Sequence, residues 1–132
     1  MNKKLNKKLY DDFPKIFQHN RAAPFDPMQP MAFGFECGDG WYSIINHCCG
    51  MIQNDVNLYG RKQVVAVQVK EKLGGLRFYV DEANEKTYDI IDFFESLSYI
   101  ICEKCGNSNG TTKNTNGWIT TRCVACRKAK KK

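Results

Sequence analysis

Two Cys-x-x-Cys pairs, Cys102/Cys105 and Cys123/Cys126, are separated by seventeen residues and constrain this chain more than any other feature. A Cys-x-x-Cys knuckle lets two thiolates and the neighbouring backbone N–H groups converge on one ion, and two knuckles close a tetrahedron of soft ligands. The residues between them read as a turn at 106–110, a short polar strand, an Asn116-Gly117 turn and a second strand starting at Trp118. That is the pattern of a zinc ribbon. Four thiolate ligands leave no position for a bound water, so one structural zinc ion is expected, without a catalytic role. A thioredoxin-like redox site needs one pair at a strand-to-helix junction, whereas here two pairs bracket a hairpin. A segment this short and polar cannot fold on apolar burial alone. Metal binding, about 10–16 kcal/mol in isolated zinc peptides, supplies most of its folding energy.

The 132 residues suffice for one domain with a small metal-bound appendage, and 42% hydrophobic and 12% aromatic residues support a real core. Seven cysteines would fit a secreted disulfide scaffold. The lysine-rich residues 1–8 lead into Leu9-Tyr10-Asp11-Asp12 and not into an apolar stretch, so the reducing cytoplasm is expected instead. No apolar run approaches the length of a membrane span, so no membrane partner is expected.

The net charge of +6 is unevenly distributed: residues 1–8 carry +4, residues 9–100 carry −5 and residues 101–132 carry +7. The body is acidic and the ends are basic.

Taken in order, residues 9–17 place apolar side chains at helical spacing, with Asp11 or Asp12 available as N-cap and Pro14 in the first turn. Residues 22–35 contain Pro24, Pro27 and Pro30 among Phe25, Met28, Met31, Phe33 and Phe35, which predicts an extended strap over the core. Residues 36–41 form a turn in which Asp39 can cap a long helix, with Trp41, Ile45, Cys48, Cys49, Ile52, Val56 and Tyr59 on its inner side and Gly60 at its end. A β-branched run at 63–70, a Leu73-Gly74-Gly75 turn and a second run at 76–80 predict a hairpin, with Leu76, Phe78 and Val80 facing the core. A second long helix is expected over 82–101. It turns Ile90, Phe94, Leu97 and Ile101 inward, exposes a stripe of Glu82, Glu85, Asp89 and Asp92, and runs directly into Cys102.

The expected fold is therefore α+β: two main helices on a β-hairpin with an N-terminal helix and Pro-rich strap over residues 1–100, a zinc ribbon over 101–126, and a basic, disordered tail over 127–132.

Three further sets of residues invite chemistry. Glu36, Cys37, Asp39 and His47 lie within twelve positions and offer an acid, a nucleophile and a base, but in no recognised nucleophile motif. The simpler reading makes Asp39 a cap, Cys37 a buried residue and His47 a polar-face residue, and no catalytic residue is assigned. Cys37, His47, Cys48 and Cys49 suggest a second metal, yet adjacent helical cysteines point about 100° apart, which favours core packing. Lys70, Lys72, Arg77 and Tyr79 around the hairpin, with Trp118, Arg122, Arg127, Lys128, Lys130, Lys131 and Lys132 in the C-terminal part, are candidate contacts for nucleic acid or a protein partner.

Three blocks, residues 13–17 (Phe-Pro-Lys-Ile-Phe), 34–41 (Gly-Phe-Glu-Cys-Gly-Asp-Gly-Trp) and 67–79 (Val-Gln-Val-Lys-Glu-Lys-Leu-Gly-Gly-Leu-Arg-Phe-Tyr), together with the C-terminal cysteines, resemble a family of small, functionally uncharacterised bacteriophage and prophage proteins. The resemblance covers nearly the whole chain. It implies a phage protein made in the cytoplasm of an infected bacterium, and it carries over no activity. The leading expectation is a non-enzymatic accessory that binds and modulates a host protein, such as a defence effector. The alternatives are a nucleic-acid-binding ribbon module and, less favoured, an enzyme centred on Glu36 to His47.

Overall fold

A computed structural model describes residues 1–18 and 22–129. Among them it forms four α-helices, a three-stranded sheet and a separate two-stranded hairpin, the α+β class expected from the sequence.

The first helix, α1, spans Lys3–Asp12. It lies earlier than the predicted 9–17 because Pro14 disfavours helical backbone at Phe13, which leaves the helix with φ −129°. Asn2, not Asp11 or Asp12, caps its start by accepting from the Leu5 amide at 2.9 Å. The two aspartates sit in its last turn, paired with Lys7 and Lys8 four residues earlier. Turns over residues 27–33 break up the segment 22–34, so it is not one extended strap. Met31 is the buried residue of that segment, tied to the Val67 carbonyl at 2.8 Å. Phe25, Met28 and Phe33 are exposed.

Strand β1, Phe35–Glu36, pairs in parallel with β2, Ala66–Lys72, which pairs antiparallel with β3, Gly75–Val80. The parallel strand was not expected from sequence. It is two residues long and depends on α2, Tyr42–Tyr59, to return the chain to its side. Gly60, at φ 61°, ends α2 as predicted. Trp41, Ile45, Cys48, Cys49, Ile52 and Val56 are buried, whereas Tyr59 is exposed beneath the Arg61 guanidinium. Leu73 and Gly74 turn the β2–β3 hairpin with φ 53° and 83°. Leu76 and Phe78 face the core, while Val80 is half-buried.

Helix α3, Glu85–Ser98, starts at Asn84, whose side chain accepts from the Thr87 amide at 3.1 Å. It stops before Tyr99 and reaches Cys102 through tight turns, so it does not run unbroken into the cysteines as predicted. Its side chains complete the free edge of β3: Ser98 Oγ accepts from the Leu76 amide at 2.9 Å and Glu95 Oε2 from the Phe78 amide at 2.8 Å. Burial raises the Glu95 carboxyl despite that amide and the nearby Arg77.

One contiguous core joins α1, the sheet, α2 and α3. Phe17 is at its aromatic centre, with ring centroids 5.8 Å from Tyr10, 5.0 Å from Phe35 and 6.3 Å from Phe78.

The C-terminal hairpin consists of β4, Thr111–Thr115, and β5, Trp118–Arg122, joined by Asn116 and Gly117 at φ 54° and 87°. A final helix, α4, covers Val124–Ala129, so Arg127 and Lys128 lie in ordered helix and not in a disordered tail. Lys130, Lys131 and Lys132 lie outside the described residues.

Candidate metal centre and its seat

The first knuckle is shaped by its own backbone. The Cys102 amide donates to the Asn107 carbonyl at 2.8 Å and the Gly106 amide to the Cys102 carbonyl at 2.9 Å, which curls residues 102–107 around one point. The second knuckle passes from β5 into α4, where the Arg127 amide donates to the Cys123 carbonyl at 3.1 Å. The Arg127 side chain then clamps α4 to the hairpin by donating to Thr120 Oγ1 and the Thr120 carbonyl, both at 3.0 Å.

These turns bring Cys102, Cys105, Cys123 and Cys126 together, with all four sulfurs within 4.8 Å of one another. None of the seven cysteines is in a disulfide. A regular tetrahedron of sulfurs about 2.3 Å from a central ion has edges of about 3.8 Å. The Cys105 and Cys123 sulfurs are 3.7 Å apart. The four cysteines can therefore hold a metal ion, as their spacing predicts.

Electrostatics inside the group point the same way. Burial pushes the Cys102 thiol up, but the backbone amides of Cys105, Cys123 and Lys104 outweigh it and hold the thiol at about 6. Cys126, hydrogen-bonded to Cys123 and partly desolvated beside the other sulfurs, is pushed up to about 12. Crowded sulfurs cannot all ionise unless a cation compensates them.

The body grips this centre through two glycine-bearing turns. In the first, the Gly40 amide donates to the Glu103 carbonyl at 2.7 Å, the Gly38 amide to Glu103 Oε2 at 2.8 Å, and the buried Trp41 indole Nε1 to the Ile101 carbonyl at 2.9 Å. A Cβ at Gly40 would lie 2.1 Å from the Cys102 carbonyl oxygen, so only glycine lets the knuckle approach. In the second, Thr121 Oγ1 donates to the Gly74 carbonyl at 2.6 Å, and a Cβ on Gly74 would meet Ile119 at 2.9 Å. The two most specific sequence blocks, residues 34–41 and 67–79, thus meet the ribbon at one seam. Sequence reading missed this role.

That placement removes the residues considered for catalysis from a common site. Glu36 accepts from Gln68 at 2.9 Å. Cys37 is buried, and burial first, then the nearby Glu103, push its thiol up to about 12, the reverse of an activated nucleophile. Asp39 is no helix cap: its carboxylate receives the Asn2 amide at 2.7 Å and the Asn2 side chain at 2.9 Å. His47 is exposed, with Nδ1 2.7 Å from the Ser43 carbonyl of its own helix. Cys48 and Cys49 are core residues whose thiols are raised by burial. Among the described residues, the four C-terminal cysteines form the one cluster suited to a metal.

Of the other candidate contacts, Lys70 and Arg77 are direct cross-strand partners, and Lys72 and Tyr79 alternate with them onto the same face of the hairpin. The Arg77 guanidinium is engaged by the Tyr99 hydroxyl at 3.1 Å and the Leu76 carbonyl at 3.1 Å. Trp118 is 71% exposed and Lys128 is exposed, while Arg122 and Arg127 are half-buried. No helix among the described residues is long and apolar enough to cross a membrane. Compared with known proteins, the chain matches no family model, no curated protein and no solved structure.

Proposed function

We propose that the protein is a non-enzymatic accessory that docks on another protein and modulates it, with one structural zinc ion setting its ribbon. Zinc suits four thiolates at tetrahedral spacing, since it is borderline-soft and imposes no other geometry. Elemental analysis of freshly purified, reduced protein is expected to find one zinc per chain. Iron in its place would overturn this assignment.

The observation that carries the docking reading is the outer face of α3. It exposes Tyr88 and Phe93, and the turn beyond exposes Ile100, large apolar side chains that the core leaves in solvent. Glu85, Asp89 and Asp92 are exposed among them. Tyr88 with Asp92, and Asp89 with Phe93, are neighbours four residues apart on the helix surface. Glu85, Asp89 and Asp92 form a stripe with Tyr88 on one side and Phe93 on the other. An acidic stripe flanked by aromatic rings fits a basic protein surface with apolar borders. The resemblance to phage proteins supports a host bacterial protein as the partner, and a defence effector is one such target.

A tagged pull-down from nuclease-treated bacterial lysate tests this, comparing the native chain with an Asp89→Lys/Asp92→Lys variant. One protein retained by the native chain and lost by the variant is the expected result. Equal capture by both, or no protein retained once nucleic acid has been digested, would overturn it.

A further inference from the structure

The ribbon presents a second surface, opposite in charge to the acidic stripe of α3. Strand register places Trp118 opposite Thr115, Lys113 opposite Thr120 and Arg122 opposite Thr111. Cross-strand partners share a face, so Trp118, Lys113, Thr120 and Arg122 are on one side of the hairpin, while Ile119 and Thr121 turn to the seam. Lys113 is the diagonal neighbour of Trp118, about 7–8 Å away in β geometry. Nothing in the fold explains why a tryptophan should be 71% exposed at this place.

Charge narrows the partner. Residues 101–132 carry a formal +7, or +5 once four thiolates hold one dication, with Glu103 as their sole acid and its carboxylate accepting from the Gly38 amide. Beside Trp118 runs a groove of about 480 Å³, walled by Leu73 and Ile119 and flanked by Arg122. Glu71 and Glu103 also line it, and each is engaged by a backbone amide, Glu71 accepting from Gly74 and Glu103 from Gly38, both at 2.8 Å.

We propose that this face of the ribbon binds single-stranded nucleic acid, with one unpaired base stacked on Trp118 over the groove and the flanking phosphates on Lys113 and Arg122. An exposed indole among cations is the usual stacking platform for unpaired bases. A duplex keeps its base faces stacked inside, so it offers no unpaired base to the Trp118 ring. This surface is independent of α3, so the two readings stand or fall separately.

The test titrates the zinc-loaded full chain with oligothymidylate, following intrinsic tryptophan fluorescence. The chain has two tryptophans and Trp41 is fully buried, so quenching by a stacked base reports Trp118. Quenching is expected with the single strand, and Trp118→Ala is expected to weaken binding by about tenfold, within the range for one lost stack. Trp118→Phe should restore most of the affinity, and neither change should move the melting temperature. Lys113→Ala should lower the slope of log affinity against log salt by about 0.7. An unquenched Trp118, unchanged affinity in Trp118→Ala, equal binding of duplex, or equal competition by polyglutamate would each overturn the proposal.

Discussion

The body and the ribbon are held together by different forces. The body buries Trp41, Ile45, Ile52, Phe17, Phe35, Phe78 and their neighbours in one core, and its sheet edge is closed by α3 side chains. In residues 101–129 the buried positions are Cys102, Gly110, Thr121 and Cys123, with no large apolar side chain among them. Burial of about 25 cal/mol per Å² of apolar surface stabilises the first. It is nearly absent from the second, which relies on four sulfurs and on hydrogen bonds across the seam. Their surfaces differ in the same way: the body shows acid and aromatic side chains on α3, the ribbon shows cations around one tryptophan.

Metal removal is the strongest way to separate the two. Chelation, or Cys123→Ser, is expected to abolish hydrogen-exchange protection over residues 101–129, because it withdraws binding energy on the order of 10 kcal/mol. The core amides of α2 and β2 should stay protected. If they exchange together with the ribbon, the two regions are one cooperative unit and the contrast fails.

The seam itself is tested at Gly40. Gly40→Ala drives a methyl group into the Cys102 carbonyl, a backbone atom that cannot move aside, and should cost about 3 kcal/mol, the upper range for overpacking. Denaturant unfolding measures that loss, and metal affinity should fall with it. Unchanged stability and affinity would mean that the knuckle does not rest on this turn.

The smallest effect sharpens the comparison from the other side. Gly50 lies within α2, and a Cβ there meets nothing within 4 Å. Gly50→Ala should stabilise the protein by up to about 1 kcal/mol through helix propensity alone. Because it acts in the body, metal affinity should not change. A shift in that affinity would reveal coupling through α2 that the seam contacts do not account for.

Much of the architecture was legible because its signals are local. The inward positions of α2, the Gly60 stop, the β2–β3 hairpin and the four metal ligands follow from spacing and turn chemistry. The errors arose where a distant contact decided the outcome. Lys7 and Lys8 read as part of a charged end because their partners, Asp11 and Asp12, looked like caps for a later helix. Asp39 read as a cap because nothing local announces Asn2, 37 positions away, as its partner. Strand β1 is too short to show a period and exists through pairing with β2.

By itself, the sequence determined that four cysteines could close on one ion and that two amphipathic helices and a hairpin would share a core, since both follow from the spacing of side chains along the chain. Only the tertiary structure decided what the glycine-bearing blocks are for. Gly38 and Glu103 are 65 positions apart, and their contact depends on the absence of side chains at Gly38 and Gly40. An absent side chain has no periodicity and no chemistry to read, and it acquires meaning when another backbone occupies the space it leaves.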